Sequence, residues 1–335
     1  MLDIISIGDA TLDTFVKIHD ATVSCTLLTK TCQLCLDYAN KIPVTRLDQK
    51  VGGNALNNAV GSARLGMRAG FYSVIGDDMI GRHIVNRIRH EGISMKYLTL
   101  QKHSTTNYSV VINFHAERTL LTYAHPRHYS LPATVEPARW LYYTAIGKNH
   151  ARLESQILRY TRQHRTKIAF NPGTIHLKEG VKKIQHILAQ TEVVFVNKEE
   201  AEQLVGDSKT MSELLFRLHD LGPDIAVITD GPNGAYASDG INQFFLPIFP
   251  VKVVERTGAG DAFATGFVAA LWHGNTVKEA LRWGAANSAS VVTKIGPQDG
   301  LLKLPELHKM LHRYARIQPT VYRNHDAVKK SAGKK

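Results

Sequence analysis

Residues 251–272 read V-K-V-V-E-R-T-G-A-G-D-A-F-A-T-G-F-V-A-A-L-W, and the order of residue types in this stretch decides the fold class. The β-branched run Val251 to Val254 reads as a strand, Thr257 to Asp261 as a glycine turn, and Ala262 to Trp272 as an apolar-periodic helix. Phe263, Phe267 and Leu271 recur every four residues, Gly266 and Ala270 permit close packing, and Gly274 stands just past the helix end. The backbone N–H groups of Gly258, Ala259 and Gly260 have no intrahelical partner, and the helix dipole favours an anion there. Asp261 is the one ionisable side chain from Thr257 to Asp261. A carboxylate beside an anion cradle is poorly placed to bind phosphate and well placed to take a proton from an attacking hydroxyl. The plain alternative is an Asp and a Gly-rich turn that lead into a helix with no ligand at all.

Outward from this stretch the chain alternates strands and helices. Ile4 to Ile7 is a first buried strand ending in Gly8-Asp9, and Phe71 to Gly76 is another. Trp140 to Thr144, Lys167 to Phe170, Val193 to Val196 and Ile225 to Thr229 read as later strands. Helices are expected over Ala55 to Leu65, Asp78 to Gly92, Ala151 to His164, Lys178 to Ala189, Lys198 to Val205 and Thr210 to Leu221. This pattern predicts an α/β fold: a doubly wound, mostly parallel sheet flanked by helices, with ligands at the carboxyl ends of its strands. The alternation Thr14 to Ile18 and the mixed segment to Lys50 suggest an exposed flap. With a hairpin over Asn107 to Asn113 and Arg118 to Ala124, that region forms a small β lid from about 14–50 and 100–125.

Bulk numbers narrow the class. The 335 residues are 44% hydrophobic and 21% charged, ordinary values for a folded soluble protein. No apolar run approaches the roughly 18 residues that span a bilayer, and M-L-D-I-I-S-I-G carries no basic leader, so a cytoplasmic protein without a membrane partner is expected. The formal charge of +12 raises nucleic acid as a partner, yet the basic residues are spread along the chain with no helix-turn-helix, RNP or zinc-finger pattern, and no specific nucleic-acid binding is expected. The cluster Arg323 to Lys335 ends a basic tail, 319–335, that reads as disordered, leaving 1–318 as a single domain. Cys25, Cys32 and Cys35 are an odd count without a secretion signal, which reads as packing cysteines rather than a disulfide framework or a zinc site.

Several candidate ligand groups fall at strand ends. Asp13 follows the first strand; Gly52, Gly53, Asn54 and Asn57 occupy a second Gly turn; Asn171, Asn197 and Glu200 follow later strands. Such side chains suit hydroxyl-rich ligands, and Asn54 and Asn57 share a helix face. Asn197 with Glu200 reads equally as a capping box or as a site in which Glu200 acts through water on Mg²⁺. Thr229, Gly231 and Gly234 let a nucleotide approach the backbone or simply form a hairpin turn. Asn287 lies in the small-residue stretch Ala285 to Val292, either a slot for a purine ring or a close helix contact. Arg118, Arg127 and His128 are either partners for a substrate phosphate or solvated charge. No G-x-x-x-x-G-K-[ST], G-x-G-x-x-G after the first strand, or G-x-S-x-G occurs.

In order, G-D-A-T-L-D (8–13), V-G-G-N-A-L-N-N-A (51–59), N-K-E-E (197–200) and R-T-G-A-G-D-A-F (256–263) resemble the ribokinase, or PfkB, family of carbohydrate and nucleoside kinases. The resemblance implies ATP-dependent phosphorylation of a hydroxyl, of hydroxymethyl or similar type, on a sugar or nucleoside under a closing β lid. By that resemblance Asp261 is the base, Gly258, Ala259 and Gly260 the anion hole, and Asp13, Gly53 and Asn57 the sugar contacts. Asn197 and Glu200 match the Mg²⁺ and phosphate motif, and Thr229 and Gly231 the nucleotide-binding strand end. Two departures stand out. Asn54 replaces the lysine of ribokinase itself, which weakens the case for ribose, and Glu255 with Thr257 stand where potassium-activated members place Asp and Thr, leaving a K⁺ site open. An exposed lid sheet also offers an edge for a homodimer. The rival reading is a non-catalytic sugar or nucleotide sensor on the same fold.

Overall fold

In the computed structural model, residues 1–26, 31–114 and 117–322 are described. The first half of the chain forms β1 (Leu2–Ile7), β2 (Thr11–Ile18), β3 (Thr22–Thr26), β4 (Thr31–Cys35), β5 (Val44–Gly52), α1 (Asn54–Arg64), β6 (Ala69–Gly76), α2 (Met79–His90), β7 (Ser94–Gln101), β8 (Asn107–Phe114), β9 (Glu117–Tyr123) and β10 (Ala138–Tyr143). Then come α3 (Ala151–His164), β11 (Lys167–Phe170), α4 (Thr174–Glu179), α5 (Val181–Leu188), β12 (Val193–Asn197), α6 (Lys198–Val205), α7 (Met211–Asp220), β13 (Ile225–Thr229), β14 (Ala235–Ser238), β15 (Gln243–Leu246), α8 (Ala259–Trp272), α9 (Val277–Val291), α10 (Leu304–Arg313) and β16 (Thr320–Val321).

Among the described residues one ten-stranded sheet runs β16-β15-β14-β13-β12-β11-β10-β1-β6-β7. It is parallel from β7 to β13, and β14, β15 and β16 add an antiparallel edge. The chain leaves β1 toward β6 on one side and returns to β10 on the other, which opens a crevice at the strands' carboxyl ends. Both faces are covered, so neighbouring strand residues bury into different layers. Ile4 of β1 joins residues of α1, α2, α8, α9 and α10, while Ile5 and Ile7 join those of α3, α5, α6 and α7. Fully burying one such side chain contributes about 1.5–3 kcal/mol. Helix α2 shows the local logic: Asp78 caps it by accepting the Gly81 N–H at 2.7 Å, and Ile84 and Ile88 bury one stripe.

The lid is a separate four-stranded sheet, β5-β2-β8-β9, with β2 and β8 parallel and the other pairs antiparallel. Among the described residues β3 and β4 pair only with each other.

Four expectations need correction. Val251 to Val254 is not a strand: no sheet edge is offered to it, and Val254 and Glu255 donate instead to the carbonyl of Val292 at 2.7 and 3.2 Å. The single helix expected over Lys178 to Ala189 is broken at Gly180, whose φ of 83° suits glycine. Cys25 and Cys32 are not buried packing residues. They are direct partners across β3 and β4 and form a disulfide, and Cys35 is exposed, because this pair of strands has no apolar layer beneath it. Residues 320 and 321 of the expected tail extend the main sheet, with Tyr322 edge-on to Tyr236; the rest of that tail, 323–335, lies outside the described residues, as do 115 and 116 of the lid hairpin.

Candidate active site

The two Gly turns, which open α1 and α8, meet the ends of β12 and β13 at the crevice. A cavity of about 460 Å³ there is lined by Asp13, Gly53, Asn54 and Asn57 from one side and by Gly258, Ala259, Gly260 and Asp261 from the other. Asn171, Asn197, Glu200 and Thr229 complete its floor, and Tyr108, Ser109 and Tyr123 of the lid form its roof. A larger cavity, about 860 Å³, adjoins it across Arg118, Asn197, Thr229 and Arg256 and takes in Gly231 at the end of β13.

Asp261 is 8% exposed, and the Asn57 amide donates to its Oδ2 at 2.8 Å. Burial pushes the carboxyl up to about 6; the Asn57 bond opposes this, while the charges of Asp13 and Glu200 add to it. A carboxylate with that value is ionised at neutral pH yet basic enough to accept a proton. Asn57 is itself held: its Oδ1 accepts from Gln298 Nε2 at 3.0 Å. Asn57, expected as a substrate contact, lines the cavity and gives one of its two amide hydrogens to Asp261.

The turn before Asp261 needs glycine at 258. Its φ is 79°, and a Cβ would lie 2.4 Å from the Pro297 Cβ. The N–H groups of Gly258, Gly260 and Asp261 have no protein partner among the described residues. Ala259 departs from the expected cradle, since its N–H donates to the Arg256 carbonyl at 3.2 Å. The open donors are therefore Gly258, Gly260 and Asp261.

Asp13 is also buried and accepts from the Ser109 hydroxyl. Burial pushes it up to about 6, the Ser109 bond opposes that, and Glu255 adds to it. At the head of α6 the capping box forms in full: Glu200 N–H donates to Asn197 Oδ1 at 2.8 Å, and Asn197 N–H to Glu200 Oε2 at 2.9 Å. Glu200 Oε1 has no hydrogen-bond partner among the described residues. One spare carboxylate oxygen on a residue that lines the cavity fits Mg²⁺, which takes few carboxylates and keeps its waters.

Three other expectations end differently. Asn287 is fully buried in α9, donating to Ala262 O at 2.8 Å and accepting from Leu302 N at 3.0 Å, and lines neither cavity. The small residues around it serve close packing: a Cβ on Gly284 would lie 2.9 Å from the Phe263 carbonyl. Glu255 and Thr257 do not fit K⁺, because the Glu255 carboxylate already accepts the N–H and hydroxyl of Thr257 and pairs with Arg118 at 3.3 Å. Arg127 is buried, donating to Ser104, Gln101 and Thr105, while His128 is exposed and away from both cavities. Away from the cleft, His150, Glu154 and His176 cluster at metal-ligand spacing. His176 Nδ1 accepts the Gly173 N–H at 3.0 Å, so in the neutral ring Nε2 carries the proton toward the Tyr143 hydroxyl and offers no lone pair to a metal. Ser109 and Gln298 escaped the sequence reading. The Gly296-Pro297-Gln298 turn is a visible signal for the latter, but nothing local says which residue it reaches.

A lidded, doubly wound sheet with unpaired turn amides at its crevice defines an α/β class with its cleft at the strands' carboxyl ends. A family model described as pfkB family carbohydrate kinase matches residues 15–304, and the chain belongs to that family. The chain is 27% identical over 312 residues to 5-dehydro-2-deoxygluconokinase of Geobacillus kaustophilus, covering 84% of this chain and 92% of the relative. It is 28% identical over 287 residues to aminoimidazole riboside kinase of Salmonella typhimurium, covering 80% and 89%. In fold it matches Arabidopsis thaliana ribokinase complexed with ribose and ATP at a TM-score of 0.76, with 19% identity over 92% of this chain and 98% of that one. The protein is a carbohydrate or nucleoside kinase.

Proposed function

We propose that the protein transfers the γ-phosphoryl group of ATP to a hydroxyl, of hydroxymethyl type, on a sugar or nucleoside. The observation that carries this reading is the buried Asp261 carboxylate beside the open amides of Gly258 and Gly260. Asp13, Gly53, Asn54 and Asn57 hold the acceptor, and Asn57 also orients Asp261. As the acceptor oxygen attacks the γ-phosphorus, its proton passes to Asp261 and the bridging P–O bond breaks, with its electrons leaving on ADP. The Gly258 and Gly260 amides, with that of Asp261, hold the charge on the transferred group. Asn197, Thr229 and Gly231 receive the nucleotide, and Glu200 would hold Mg²⁺. When bound, that ion neutralises phosphate charge. The lid excludes water so that positioning and electrostatics supply the rate. The outer lid strand β9, exposed along its length, offers an edge on which a second copy can pair.

The test is an ADP-release screen over pentoses, hexoses, their phosphates and nucleosides, with Asp261→Asn alongside. At least one acceptor should stimulate release, and the variant should lose about 10³-fold in kcat with ATP affinity nearly unchanged. Near-normal kcat in the variant refutes the base. Acceptor binding without any ADP release would favour the sensor.

A further inference from the structure

Asp261 stands at the end of a chain of side chains that begins outside the cleft, on α2. Arg87 Nε donates to Gln298 Oε1 at 2.9 Å, Gln298 Nε2 to Asn57 Oδ1 at 3.0 Å, and Asn57 Nδ2 to Asp261 Oδ2 at 2.8 Å. Gln298 and Asn57 are both buried. A carboxamide can present its oxygen or its N–H₂, so two in series can reverse together and still bond to each other. A guanidinium has donors only. Arg87 therefore obliges Gln298 to turn its oxygen to α2 and its nitrogen to Asn57, which in turn obliges Asn57 to turn its nitrogen to the base. Among the described residues Asn57 is the one side-chain donor to the Asp261 carboxylate. Reversed, the two amides would set the Asn57 carbonyl oxygen against it, which disfavours the charged form and accepts a hydrogen bond from the protonated one.

The Gly296-Pro297-Gln298 turn is tied down without Arg87. Arg64 donates to the carbonyls of Gln298 and Leu301 at 2.8 and 3.0 Å and pairs with both oxygens of Glu91 at 2.6 and 3.0 Å, while Arg87 lies 3.3 Å from Glu91. What the Arg87–Gln298 contact adds is direction.

We propose that Arg87 is a positioning residue for the base: it fixes the direction of both amides, so that Asp261 meets an N–H and stays ready to accept a proton. The proposal rests on the phosphoryl-transfer reading of this site. Other groups act on Asp261 as well: burial and the charges of Asp13, on β2, and Glu200, on α6, push its value up, and Tyr142, on β10, feels its charge. The Asn57 bond opposes them, and none of them belongs to the chain from Arg87.

Wild type, Arg87→Leu, Arg87→Lys, Gln298→Leu and the double variant Arg87→Leu/Gln298→Leu are compared in two readouts. One is the pH dependence of kcat/KM with an acceptor from the screen; the other is the carbon-13 titration of the Asp261 carboxyl, assigned by the signal lost in Asp261→Asn. In Arg87→Leu the acid limb and the carboxyl titration should both move up by about one pH unit, with kcat above about pH 8 within about twofold of wild type. Arg87→Lys, again with donors only, should return both to the wild-type position. Gln298→Leu should shift them by a similar amount and the double variant no further, because the influence passes through the Gln298 amide. Circular dichroism matching wild type would show that the fold is intact. An unmoved titration in Arg87→Leu overturns the proposal, as does Arg87→Lys titrating like Arg87→Leu. So does a loss of kcat equal at every pH, the mark of a strut, or a further shift in the double variant, the mark of charge acting at a distance. The titration needs no turnover: wild type inactive on every acceptor would remove the kinase reading, while the carboxyl signal still decides what Arg87 does.

Discussion

Asp261 is held where an ionised carboxylate is unfavourable, and that has two measurable consequences. Its folded value near 6 exceeds the ordinary 3.8, so the folded state binds the proton more readily than the unfolded chain. Stability is therefore greatest below about pH 3.8 as far as this group is concerned, and is lost as pH rises through about 6. At pH 7.5 the charged side chain destabilises the fold. Asp261→Asn, which still accepts from Asn57, should raise the melting temperature by a few degrees, corresponding to roughly 1–3 kcal/mol. A clear fall in melting temperature would contradict the account. Activity should move the other way with pH: kcat/KM should be flat above about pH 7 and decline below about 6 as the base is protonated. At this scale much was legible. The T-G-A-G-D order singles out Asp261 without any coordinates, because a carboxylate at a helix head beside bare amides is a local feature. That Asn57 serves Asp261, or that Ala259 is spent on Arg256, was not, because each depends on where a side chain or amide points.

Helices α8 and α9 pack so closely that glycine marks the contact. A Cβ on Gly266 would lie 2.5 Å from the Trp283 carbonyl, a rigid backbone atom. Gly266→Ala should destabilise by about 3 kcal/mol despite the better helix propensity of alanine, and thermal unfolding would show it. A variant as stable as wild type would mean the helices can separate at little cost. Element types were largely readable, since α2, α3 and α7 carry the 3.6-residue stripe and the parallel strands are continuous apolar runs. The failures share a cause. Val251 to Val254 has strand composition but no neighbouring edge, and a run becomes a strand only when another strand accepts its hydrogen bonds.

Across the whole molecule, the lid and the β3–β4 pair are the parts least tied to the main sheet. The Cys25–Cys32 bridge spans a sequence separation of only 7 and lies outside both larger sheets. Reducing it should loosen that pair locally, leaving turnover within about twofold and global melting nearly unchanged, because local openings need not couple to the core. Loss of activity under reductant would show that this pair props the lid. Among the described residues no helix is long and apolar enough to cross a membrane. Sequence alone determined the doubly wound class, the two glycine turns and the acidic side chain at the second, because periodicity and turn chemistry are set by neighbours along the chain. Only the tertiary structure decided that Asn57 meets Asp261 across 204 residues, that Arg118 spans 139 to reach Thr257, and that Asn287 is buried for packing. Those contacts exist because the sheet order folds distant turns onto one edge, and no local pattern carries that information.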